Sequence, residues 1–172
     1  MSVMDAIRSR FSCRAYQDRP LEKEKLDKIL DAARLAPSAK NLQDWRFVVA
    51  TDKQTRLRLA QAANNQMFIA DAGAILVCCS VVDHTMRCGQ QVGPIDVAIA
   101  MEHICLQAAE LGLGTCWIGS FYPDQVRPIL GIPEKVTIIE LLALGYPAEP
   151  RRPARREPVE KIVCFEKWSF RE

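Results

Sequence analysis

With two histidines and no Cys-x-x-Cys pair, the chain has little from which to build a zinc site. Cys79, His84 and Cys88 stand close together, but no fourth ligand goes with them. Charge of one sign is also missing. Lys and Arg total 23 against 21 Asp and Glu, a net charge of +2, which argues against nucleic acid or an anionic membrane as a general partner. The longest apolar run, around 70–82, contains Asp71 and is too short to span a bilayer. The opening MSVMDAIRSRF carries charge early and lacks the apolar core of a signal peptide. Internal repeats, low-complexity tracts and an interdomain linker are absent too. These absences give the expectation of a soluble, cytoplasmic protein with residues 1–172 in one domain, a size within the usual range of ~100–200 residues.

Cysteine, by contrast, is plentiful. The seven are Cys13, Cys78, Cys79, Cys88, Cys105, Cys116 and Cys164. The count is odd, and Cys78, Cys79, Cys105 and Cys116 lie in or beside apolar runs, which suits reduced, buried thiols better than a disulfide framework. A metal- or redox-sensing role for segment 78–88 stays open as a reading of this cluster.

Hydrophobic periodicity divides the chain into alternating elements. A short helix is expected over 2–10, with Ser2 and Asp5 as a capping-box-like pair and Val3, Ala6 and Ile7 as its apolar stripe. Residues 21–36 form a strong amphipathic helix, with Leu21, Leu26, Ile29, Leu30, Ala33 and Ala36 on one face. Pro37 stops it. A strand follows over 47–50 and a helix over 53–63. The run 72–82 reads as a strand buried on both faces, because its apolar residues are continuous rather than alternating. A polar loop, 83–94, precedes a nearly all-apolar helix, 95–111, ended by Gly112. His103 on that helix reads as a satisfied core residue. A strand from 115, a helix over 123–130 and a strand over 136–144 complete the pattern.

Four stretches carry possible chemistry. Arg8, Arg10, Ser12 and Arg14 make either a basic solvated turn or a compact anion site, since guanidinium forks and a hydroxyl suit phosphate oxygens. The stretch APSAKNLQDWRF, 36–47, is rich in hydroxyl and carboxamide groups. It either caps its own backbone or offers donors and acceptors to a planar, polar ligand. Asn64-Asn65-Gln66 is either a left-handed helix end or a set of amides for a heterocycle edge. Gly119, after a short strand, allows close backbone approach to something flat. The tail holds the basic run 151–156, prolines at 147, 150, 153 and 158 that prevent regular helix, and Val163 and Trp168, suited to packing on another subunit.

Five segments in order, RSRFSCRAY (8–16), APSAKNLQDWRFVV (36–49), NNQMFIADA (64–72), GLGTCWIGSF (112–121) and LGYPAEPRRPARREPVEKIV (144–163), resemble the FMN-dependent nitroreductase family over nearly the whole chain. The resemblance implies an α+β fold: a mostly antiparallel central sheet wrapped by helices, in a homodimer whose C-terminal tail packs on the partner. It implies FMN as cofactor and NADH or NADPH as donor. Electrons would pass by a ping-pong route to a nitroaromatic, a quinone or another small organic acceptor. Arg10, Ser12 and Arg14 are then expected at the phosphate and ribityl end, with Arg156, and Arg155 beside it, returning from the tail. Pro37, Ser38 and Asn41 are expected against the ring from the second subunit. Asn65 or Gln66 is expected at the pyrimidine edge, and the backbone of Trp117, Ile118 and Gly119 along the ring near N5. Phe11 replaces a basic residue of many members, so its contact can be through backbone only. No side chain need act as acid or base, because the flavin carries the chemistry. The chain is shorter than many members, which implies an open pocket without a long lid near residue 80. A dehalogenase, a flavin-cleaving enzyme or a non-catalytic flavin-binding protein of the same fold are the alternatives the resemblance leaves open.

Overall fold

In the computed structural model, which describes residues 1–151 and 154–170, the elements follow in the order the periodicity sets. They are α1 (Val3–Ser9), α2 (Lys23–Arg34), β1 (Trp45–Ala50), α3 (Lys53–Ala62), β2 (Ala74–Ser80), α4 (Val92–Glu110), β3 (Gly114–Ile118), α5 (Pro123–Leu130) and β4 (Thr137–Gly145). The strands form one antiparallel sheet in the order β1-β2-β4-β3, with β1 and β3 at its edges. The expected antiparallel sheet wrapped by helices is therefore what the chain forms.

The continuous apolar run becomes β2, whose seven residues are all buried. Its side chains alternate between two cores. Ile75, Val77 and Cys79 join the cluster under α3 and α5, whereas Ala74, Leu76 and Cys78 join the cluster under α2 and α4. A strand covered on both faces needs apolar side chains at every position, which is why the run does not alternate.

Helix α4 packs on all four strands. It starts at Val92, three residues before the expected start at 95, so the loop 83–94 is shorter than read from sequence. Pro94 sits in the first turn of the helix, where a proline lacks only an N–H that no helical carbonyl awaits. Among the described residues α4 is the one helix long and apolar enough to cross a membrane, and half of it is buried inside the fold. His103 Nδ1 lies 3.1 Å from the Ala32 carbonyl, a satisfied position between α4 and α2.

Helix α1 has the expected capping box between Ser2 and Asp5. Its stripe differs from expectation. Ala6 is buried, but Val3 is 74% and Ile7 47% exposed. Helix α2 buries Ile29 and Ala33 as the pattern requires. Tyr146, just past β4, fastens the start of α2: its hydroxyl bonds to Glu22, holding that carboxyl down at about 2, and accepts from Lys25 Nζ at 2.8 Å.

Candidate functional site

The N-terminal stretch runs along β3, and the start of the tail runs along that stretch. Ser12 bridges Thr115, and the Cys13 N–H donates to the Thr115 carbonyl at 2.9 Å. Tyr16 bridges Pro147, and the Ala148 N–H donates to the Ala15 carbonyl at 2.9 Å. Gly114 permits this approach: a Cβ there would stand 2.6 Å from Cys13 Cβ. The N-terminal stretch is thus clamped between the sheet edge and the first residues of the tail.

A cleft of about 570 Å³ opens at this clamp. Arg10, Phe11, Ser12 and Arg14 line it from one end of the chain, and Arg151 and Arg156 from the other. The two arginine stretches picked out from sequence therefore converge. Arg151, from the same basic run, joins the expected residues in the lining. Arg155 lies outside the lining; its carbonyl accepts from Arg156 Nη1 at 3.1 Å. Arg152 and Pro153, also in that run, lie outside the described residues. Phe11 packs its ring on the core, which leaves its backbone for the cleft. Arg10 is held by Glu102 on α4, Nε to Oε1 3.3 Å. Burial raises the Glu102 carboxyl, and Arg10 opposes that rise.

Trp117 and Ile118, at the end of β3, and Gly119 just after it lie outside the lining of this cleft. The Trp117 indole N–H donates to Cys105 Sγ at 3.3 Å, and Ile118 is buried. A Cβ on Gly119 would stand 3.2 Å from Glu140 Oε1. Burial raises the Glu140 carboxyl, a titratable neighbour of this turn that sequence reasoning missed.

The carboxamide triple meets the same turn. Asn64 and Asn65 have φ of 55° and 56°, the left-handed conformation that ends α3. Gln66 Nε2 donates to the carbonyls of Ala63 and Ser120, each at 3.0 Å, so its amide holds the turn after β3 in place. The Asn65 side chain is exposed and makes no hydrogen bond to the described residues. The structure thus gives Asn65 and Gln66 different duties: the first is free for a ligand and the second is fastened to the fold.

Pro37, Ser38 and Asn41 lie elsewhere. Their turn precedes β1, at the opposite edge of the sheet from β3, three strand spacings or roughly 14 Å across. Lys40, Asn41 and Gln43 have φ of 52°, 54° and 49°, an unusual cluster for residues with side chains. The Ser38 hydroxyl accepts from the Gln43 N–H at 2.9 Å, closing the turn. Pro37 and Asn41 are exposed.

All seven cysteines are free; five are buried, Cys164 is partly so and Cys88 is exposed. Burial pushes the Cys79 and Cys105 thiols up to about 11. Among the described residues no group of three or more His, Cys, Asp or Glu is placed to hold a metal ion.

The profile of the nitroreductase family matches residues 7–92 and 78–146. A putative NADH dehydrogenase/NAD(P)H nitroreductase of Methanothermobacter thermautotrophicus is 36% identical, over 98% of this chain and 88% of the relative. The crystal structure of a nitroreductase family protein from Clostridium difficile superposes with a TM-score of 0.86 at 37% identity, covering 98% of this chain and 100% of that one. The NADPH:FMN oxidoreductase of Vibrio harveyi, complexed with NAD+, superposes with a TM-score of 0.90 at 26% identity, covering 99% of this chain and 79% of that one.

Proposed function

Because this chain belongs to the nitroreductase family, we propose that it is an FMN-dependent NAD(P)H oxidoreductase acting on nitroaromatic, quinone or other small organic acceptors. One observation carries this reading: arginines from both chain ends line one cleft on the edge strand of the sheet. A phosphate dianion is the ligand such a set fits, since guanidinium groups pair with its oxygens in two-point fashion. The free amide of Asn65 suits a ring edge that carries both donors and acceptors.

Bound FMN would supply the redox chemistry, taking a hydride from NADH or NADPH and passing electrons to the acceptor. The chain's own residues bind and orient. Arg10, Ser12, Arg14 and Arg156 hold the phosphate, with Arg151 added and Arg155 flanking them. Phe11 contributes backbone. Gln66 fixes the turn at Ser120, so that the backbone of Trp117, Ile118 and Gly119 stays aligned beside the Asn65 amide.

A second copy completes the site. Pro37, Ser38 and Asn41 stand at the far edge of the sheet, so within one chain they cannot face the cleft at β3. Exposed apolar side chains support the homodimer: Val3, Met4 and Ile7 on α1, and Phe165 and Trp168 in the tail, 84% and 79% exposed. The tail packs on the partner in this reading.

The test is steady-state kinetics of FMN-loaded protein with NADH and NADPH against menadione and nitrofurazone, alongside sedimentation velocity. Parallel double-reciprocal lines and the mass of two chains are expected. Tight FMN binding without oxidation of either nucleotide would replace the enzyme by a non-catalytic flavin-binding protein.

A further inference from the structure

Two carboxylic acids lie deep under the turn at 37–43. Asp44, just before β1, is 1% exposed, and Asp96, in the second turn of α4, is 3% exposed. The Ser80 hydroxyl, at the end of β2, donates to Asp44 Oδ2 at 2.6 Å. The Ala39 N–H, inside the turn, donates to Asp96 Oδ2 at 2.9 Å. Asp44 Oδ1 is buried with no donor among the described residues, and the Asp44 charge acts on Asp96 across this buried contact of α4 with β2. Gly93 allows α4 to come this close to β2, because a Cβ there would stand 2.6 Å from Ser80 Oγ.

Among the described residues no cation pairs with either carboxyl. Arg46, on β1, gives its Nη1 to the carbonyls of Gln43 and Trp45, at 2.9 Å and 2.7 Å. Lys40 on the turn and Asp83 and His84 after β2 are exposed. From α2, α4 and the strands, Asp44 is the only charged group that acts on Asp96 among the described residues. Two neighbouring ionised carboxylates out of water repel strongly, and one proton shared between them removes that repulsion.

We propose that Asp44 and Asp96 share one proton and act together as positioning residues, a latch that holds the 37–43 turn in the left-handed shape presenting Ser38 and Asn41. The proton supplies the donor that Asp44 Oδ1 lacks, and the Ala39 N–H ties the turn to the pair. The link from this turn to flavin rests on the proposed function; the latch itself rests on the two carboxyl groups.

The sign of the pH dependence follows. Burial first, and the Asp44 charge second, raise the Asp96 carboxyl in the folded chain. The folded state therefore holds a proton that the unfolded chain has released. Its stabilisation is complete on the acid side and is lost as pH rises through the raised value. Asp96→Asn replaces the shared proton by an amide: its oxygen accepts from Ala39 and its N–H donates to Asp44 Oδ1, at any pH. Asp44→Asn does the same from the other side, accepting from Ser80 and donating to Asp96.

The experiment follows FMN dissociation constants, and melting temperatures of the flavin-free protein, for the wild type and both Asn variants from about pH 5 to about pH 9. The wild type should lose about tenfold in FMN affinity, and melt progressively earlier, as the pair ionises. Both variants should hold their low-pH values. Variants that track the wild type in both readouts, or a wild type without pH dependence, overturn the latch. If the wild type binds no FMN at any pH, the proposed function fails, and the melting profiles still decide the latch.

Discussion

Arg14→Ala and Arg156→Ala should each weaken FMN while leaving riboflavin alone. Both arginines line the cleft at β3, and both are exposed, so neither belongs to the core. Removing a charge-assisted hydrogen bond costs about 1.5–3 kcal/mol, and solvent-exposed partners fall at the lower end. About 1.4 kcal/mol corresponds to tenfold in affinity, so each variant should bind FMN roughly tenfold more weakly. Riboflavin lacks the phosphate, so its affinity should change less than about twofold. Raising ionic strength should shrink the FMN-specific loss, because the lost interaction is one between screened charges. Arg10→Ala is a different perturbation. It also removes the partner of the half-buried Glu102, and Glu102→Gln with Arg10 intact measures that second effect separately. The assay is a titration of flavin-free protein by fluorescence quenching. An equal loss for FMN and riboflavin would show that the arginines shape the fold rather than meet a phosphate. No loss for either would refute the assignment of the cleft.

Leu76→Ala, in the fully buried middle of β2, should cost about 2–5 kcal/mol and lower the melting temperature by roughly 4–20 °C. A drop under about 2 °C would mean that the core relaxes around the cavity. With the native protein, a thiol reagent should find Cys88 first and Cys164 second, and the five buried cysteines only on unfolding. The Cys79→Ser and Cys88→Ser variants should keep full oxidoreductase activity; a loss in either would revive a redox-sensing role for segment 78–88.

Much of the fold was legible because single elements carry their own signal. The unbroken apolar run of β2 could only be a doubly covered strand, and α2, over Lys23–Arg34 rather than 21–36, turns Leu26, Ile29, Leu30 and Ala33 of its expected stripe inward. The start of α4 was misplaced because Gly93 and Pro94 look like breakers until a helix is known to begin one residue earlier. The Val3 and Ile7 stripe of α1 could not be assigned a partner from sequence, since within one chain it meets mostly solvent.

The site was legible as residue types but not as an assembly. Arginines near both ends announced an anion, yet their meeting depends on the hydrogen bonds from Cys13 to Thr115 and from Ala148 to Ala15. Three adjacent carboxamides are equivalent on paper. Only the bonds from Asn64 to the Ser120 hydroxyl and from Gln66 to the Ser120 carbonyl separate the two that brace the turn from Asn65 between them. Asp44 and Glu140 gave no signal, because an acidic residue in sequence looks solvated until packing buries it.

An arginine cleft that serves a flavin reduced by nicotinamide nucleotides leaves a visible signature. The most direct measurement is the absorbance spectrum of the purified, FMN-soaked protein across the flavin bands, before and after anaerobic NADH or NADPH. Flavin bands should survive desalting and bleach with at least one nucleotide. Bands that persist with both, or no bands at all after soaking, would contradict that role of the cleft.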